Sequence, residues 1–148
     1  MTAEPMPRCD FDSDKLLVRF TVAISADVNA IRPVVNGVMQ IIKEMKCGAG
    51  KEFEIEVALN EALANAVIHG CGNDRSKKVE CCVACDESRG LLIVVRDPGP
   101  GFDPASLPNP ITGQNVFSEH GRGIFLINQL MDEVHFERGG TEIHMRKF

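Results

Sequence analysis

Leu91-Leu-Ile-Val-Val-Arg-Asp-Pro-Gly-Pro-Gly101 runs from an apolar stretch through one cation into a carboxylate and alternating glycines. An apolar run this short, bounded by turn residues, has the pattern of a buried strand. The carboxylate of Asp97 then stands at the strand end beside exposed backbone. Gly99 and Gly101 permit positive φ and let a flat ring approach the main chain closely. Taken alone, the same string is better read as a plain turn, because Asp, Pro and Gly are the commonest turn residues.

The surrounding pattern gives this strand its neighbours. Residues 79–85 form another strand, joined to it by the turn-like Asp86-Glu-Ser-Arg-Gly90. Val18, Phe20, Val22 and Ile24 alternate with Arg19, Thr21 and Ala23, which predicts a first half-buried strand. A helical pattern covers residues 27–46, with Pro33 marking the first turn of its main body. A second covers residues 51–69, where Ile55, Ala58, Leu59, Ala62, Leu63 and Ala66 make an apolar stripe and Gly70 a stop. Residues 97–123 are too long for an ordinary connection, and residues 104–120 have the composition of a lid. A third helix follows over 124–131, and then two strands, 133–138 and 141–147, flank Gly139-Gly140 as a hairpin. The order predicts an α+β protein, a two-layer α/β sandwich with a mixed but mostly antiparallel sheet and helices on one face. The first 14 residues carry prolines and acids without periodicity, so they form a loose tail before one domain over residues 15–148.

Composition narrows the function. The chain has 148 residues, 44% hydrophobic and 25% charged, which is enough for a real core. Its net charge of −5 without a basic stripe argues against nucleic acid and against an anionic membrane surface. No apolar run is long enough to span a bilayer, and the start lacks the pattern of a secretory signal, so a cytoplasmic protein is expected. In a reducing compartment the six cysteines are expected as small buried hydrophobes rather than disulfides. Cys82 and Cys85 have C-x-x-C spacing, but on a strand they point to opposite faces, which disfavours zinc. The strand from Leu91 to Arg96 is apolar on both faces, so a homodimer is expected through the helix-free face, with cover by the tail as the alternative.

Two further motifs carry chemistry. In Asn60-Glu-Ala-Leu-Ala-Asn-Ala66, Glu61 and Asn65 lie one helical turn apart on one face. A carboxylate there can take a proton from a hydroxyl, and an amide oxygen can ligate Mg²⁺. In isolation a solvated helix face explains the pair better. Gly121-Arg122-Gly123 opens the third helix, where free N–H groups and the dipole suit phosphates. There is no G-x-x-x-x-G-K-[ST].

In this order the three motifs resemble the GHKL ATPases of the Bergerat fold, and in particular their anti-sigma-factor serine kinase branch. Asn60-Glu61 through Asn65-Ala66 and Ile68-His69-Gly70 look like the N box. Asp97 to Phe102 look like the first glycine box, and Gly121 to Ile127 with Leu130 to Val134 like the second. The resemblance covers about residues 16–148. It implies ATP and Mg²⁺ as cofactors, Glu61 as general base and Asn65 as the Mg²⁺ ligand. It further implies Asp97 as acceptor for the adenine amino group, Gly99 and Gly101 shaping that pocket, and Gly121, Arg122 and Gly123 near the phosphates. Cys71 departs from the pattern, where an aromatic or polar rim residue is expected.

The function this implies is an anti-sigma factor with serine/threonine kinase activity. It would sequester a sigma factor and phosphorylate an anti-anti-sigma antagonist. The alternatives are a nucleotide-dependent partner-switching module without phosphoryl transfer and a histidine-kinase-like ATPase domain.

Overall fold

The computed structural model of the chain describes residues 16–103 and 119–148, with the backbone alone at 119 and 120. The tail, and the lid expected over residues 104–120 as far as residue 118, lie outside the described residues. Strand β1 (Leu16–Ser25) leads into helix α1 (Val28–Glu44) and helix α2 (Glu52–Asn65). Strands β2 (Lys78–Asp86) and β3 (Gly90–Arg96) form the first hairpin. After helix α3 (Glu119–Leu130), strands β4 (Glu133–Glu137) and β5 (Glu142–Lys147) form the second.

The five strands lie in the order β1-β2-β3-β5-β4. Among the described residues every pairing is antiparallel, so the sheet is simpler than the mixed one expected. Strand alternation sorts its residues between two faces. Val79, Cys81, Val83, Ile93, Val95 and Met145 join Ile55, Leu59, Leu63 and Ile127 of the helices in one core. That is the two-layer sandwich expected, with the helices over one face.

Local chemistry starts and stops these elements. Asp27 caps α1, its Oδ1 accepting the Asn29 N–H at 2.9 Å. Ile31, Val35, Val38, Met39 and Ile42 recur at helical spacing and are buried. Pro33 lies inside the helix, in its second turn rather than its first. The helix begins earlier than Pro33 suggests because Asp27 supplies the cap.

The second helical pattern is also modified. After Asn65 the chain takes one π-helical turn, Ala66–Gly70, closed by the Cys71 N–H donating to the Ala66 carbonyl at 2.9 Å. Such turns insert extra backbone into a helix and are frequent at functional sites.

The cysteines depart from expectation. Cys47 and Cys85 form a disulfide across 38 residues of sequence. The turn after α1 comes down over the end of β2 and brings their Cα atoms to 6.2 Å. Sequence spacing cannot reveal that approach. Cys71 and Cys81 are buried thiols, as the hydrophobe reading predicts.

The helix-free face is also different. Cys82, Ala84, Leu92 and Val94 cluster there, each at most 7% exposed within the single chain. The open apolar strip that motivated a homodimer through this face is therefore not present.

Candidate functional site

The site forms where the π turn meets the ends of β3 and β5. Asp97 continues β3, and its N–H donates to the Thr141 carbonyl at 2.9 Å. Alternation turns its side chain toward the helices, directly against Gly70. A Cβ on Gly70 would stand 2.3 Å from Asp97 Cγ, so only glycine fits. Gly99 closes the other side, its N–H donating to Asp97 Oδ1 at 2.8 Å. A Cβ there would meet the Gly70 carbonyl oxygen at 2.0 Å. Gly101 has φ +78° and abuts the Gly139 carbonyl, which in turn accepts the Phe102 N–H at 2.9 Å.

A cavity of about 210 Å³ opens beside this carboxylate, lined among others by Asn65, His69, Asp97, Phe102, Phe136 and Thr141. It falls below the roughly 300–1,000 Å³ of whole-ligand pockets, a size suited to a planar ring rather than an entire nucleotide. Phe102 and Phe136 meet edge to face, with ring centroids 5.3 Å apart. Burial holds the Asp97 carboxyl above its ordinary range, against a smaller lowering by the Gly99 N–H. With Oδ1 engaged by Gly99, Oδ2 remains as an acceptor for a ligand's N–H. Burial, reinforced by the charge of Asp97, also raises the Cys71 thiol. That side chain is 3% exposed and belongs to the core rather than to the cavity rim.

Glu61 and Asn65 lie next to this cavity, against α3. A Cβ on Gly123 would stand 2.9 Å from Glu61 Oε2 and 3.2 Å from Asn65 Oδ1. The second glycine motif therefore meets the first helical motif through the missing side chain of Gly123. Helix α3 starts at Glu119, so Gly121, Arg122 and Gly123 lie inside its first turns rather than ahead of them. Gly121 is buried and Arg122 exposed, and neither lines the cavity.

Asn65, Asp97 and Gly101 thus line one cavity, Gly99 packs beneath its carboxylate, and Glu61 joins Asn65 at Gly123. Sequence reasoning missed His69, Phe102, Phe136 and Thr141 as lining residues. Phe136 carried a usable signal, since it alternates onto the helix-facing side of β4 with Val134. His69 carried one too, since it stands four residues after Asn65 and so on the same helical face.

Residues 24–147 match the profile of the histidine kinase-like ATPase domain. The chain belongs to that family. It is 32% identical over 105 residues to a serine-protein kinase RsbW of Bacillus licheniformis, covering 64% of this chain and 63% of that one. It is 33% identical over 101 residues to an anti-sigma F factor of Oceanobacillus iheyensis, covering 64% and 67% respectively. RsbW of Bacillus subtilis is 31% identical over 102 residues, again with 63% of its length covered. The match thus spans just under two thirds of the RsbW relatives.

Proposed function

We propose that this chain binds ATP with Mg²⁺ and transfers the γ-phosphoryl group to a serine or threonine hydroxyl of an antagonist protein, while also binding a sigma factor. The observation that carries the reading is the adjacency of two clusters: a half-buried carboxylate beside a ring-sized cavity, and Glu61 with Asn65 against Gly123. In it, Asp97 Oδ2 accepts the adenine amino group in the cavity that Phe102 and Phe136 help to line. Gly99 and Gly101 keep the backbone close to the ring. Gly121, Arg122 and Gly123 belong to the phosphate end.

The donor set at that end fits Mg²⁺. Asn65 offers a neutral oxygen and Glu61 a carboxylate one turn away. Among the described residues no cluster of three or more His, Cys, Asp or Glu could cage a metal. Mg²⁺ suits such a sparse set, because it keeps several waters and takes the rest of its shell from phosphates. Asn65 would hold the ion, which would neutralise charge on the phosphates. Glu61 then takes the proton from the attacking hydroxyl as the oxygen–phosphorus bond forms and ADP leaves. Phosphoryl transfer asks little more of a protein than this positioning.

The partner classes rest on the printed names of the relatives, serine-protein kinase and anti-sigma F factor. The test is transfer of γ-³²P to a candidate antagonist. Glu61→Ala should retain ATP binding and slow transfer about 10²–10⁴-fold, as for a lost general base. Asn65→Ala should instead weaken the Mg²⁺-dependent part of binding. Nucleotide binding without transfer by the wild type would support the partner-switching alternative.

A further inference from the structure

The strand ends that carry Asp97 and Thr141 have a second side. Alternation points Arg96 and Glu142, their immediate neighbours, onto the helix-free face. There Arg96 Nε donates to Glu142 Oε2 at 2.7 Å, and the residues are only 7% and 6% exposed. The other carboxylate oxygen, Oε1, lies 2.7 Å from His144 Nε2. The His144 ring stacks on His135 at 4.7 Å, and His135 Nε2 lies 3.5 Å from Glu137 Oε1.

These groups sit in register across the sheet. Ala23, Glu80, Arg96, Glu142 and Glu137 form one row, and Thr21, Cys82, Val94, His144 and His135 form the next. Among the described residues the titratable groups facing the pair are therefore Glu80 from β2, Glu137 and His135 from β4, and His144 within β5.

A buried ion pair is a poor device for stability, since apolar residues of similar volume often serve as well or better. This face accepts them one row away, at Cys82 and Val94. What an ion pair adds is a directed geometry between two particular groups. Here that geometry spans the Asp97 N–H to Thr141 carbonyl bond, with Arg96 preceding the donor and Glu142 following the acceptor.

Resting on the ATP-site reading above, we infer that Arg96 and Glu142, braced by His144, are positioning residues that hold Asp97 in register for the adenine amino group from behind the sheet. They touch no ligand. Their effect passes through the strand ends that they lock together.

The test separates positioning from stability. Arg96→Met with Glu142→Leu replaces the pair by apolar residues of similar volume. Its melting temperature should stay near wild type, while ATP affinity falls tenfold or more and the Asp97 amide exchanges its hydrogen at least tenfold faster. Amides of the β1–β2 pairing should exchange as before. If the double variant fails to fold, Glu142→Gln, which keeps the shape and removes the charge, takes its place in the same measurements. Arg96→Lys, which keeps the charge, should recover much of the affinity lost in Arg96→Met. Wild-type affinity together with unchanged Asp97 exchange in a folded variant would overturn the inference. A wild type that binds no ATP would defeat the site reading instead, and the exchange measurement would still decide the positioning role.

Discussion

Asp97 is a carboxylate that burial makes reluctant to ionise, held between two glycines that leave it no other place. The sign of the stability effect follows. A carboxyl whose folded pKa is raised stabilises the fold below its unfolded pKa and loses that contribution as pH rises through the folded value. At neutral pH the ionised group is a burden, so Asp97→Asn should melt at the same temperature as wild type or higher. Thermal denaturation at pH 7 checks this. Glu142 behaves oppositely. Burial raises its carboxyl, but the hydrogen bonds and charges of Arg96 and His144 outweigh that and hold it below the ordinary 4.5. Its contribution is present above the unfolded value and lost as pH falls through the lowered folded one. Urea midpoints from about pH 6 to about pH 3 should fall further for wild type than for Glu142→Gln. Both carboxylates were visible in the sequence, and Asp97 was singled out by its glycines. Glu142 was not, because nothing in a linear string says that Arg96 lies opposite it.

Among the elements, α3 meets α2 without a side chain at Gly123. An alanine there would favour the helix itself by about 0.5–1 kcal/mol. It would also press on Glu61 and Asn65, whose side-chain atoms lie 2.9–3.2 Å from the added carbon. Gly123→Ala should therefore melt no earlier than wild type, yet transfer phosphate more slowly, on the order of 10²-fold for a displaced reacting group. Single-turnover transfer measured beside melting checks it. The glycines at 121 and 123 were legible as a motif, but their place was not. Because α3 starts at Glu119, they stand inside its first turns, where Gly123 meets Glu61 and Asn65. The π turn at Ala66–Gly70 was equally hidden, because periodicity cannot distinguish one inserted residue from a plain helix end. The hairpins were read closely from the sequence, since Gly90 and Gly139-Gly140 punctuate clear strand patterns.

At the scale of the whole molecule, the Cys47–Cys85 disulfide ties the helical layer to the sheet. Closing a loop of this length constrains the unfolded chain, and removing the bond should cost about 2–4 kcal/mol. Cys47→Ser with Cys85→Ser should shift the denaturation midpoint accordingly, with little change in ATP affinity, since neither residue lines the cavity at Asp97. Alternation and motif order gave the sandwich. Contacts between the layers, such as this bond, arise only when the layers come together.

The proposed function depends on one interaction, that of the Asp97 carboxylate with the amino group of adenine. Calorimetric titration with ATP·Mg²⁺ tests it most directly, on wild type and on Asp97→Asn shown to be folded by its melting curve. Saturable one-to-one binding by wild type, lost or nearly lost in Asp97→Asn, is the predicted result. Equal affinity in the two proteins, or no binding by wild type, would contradict it.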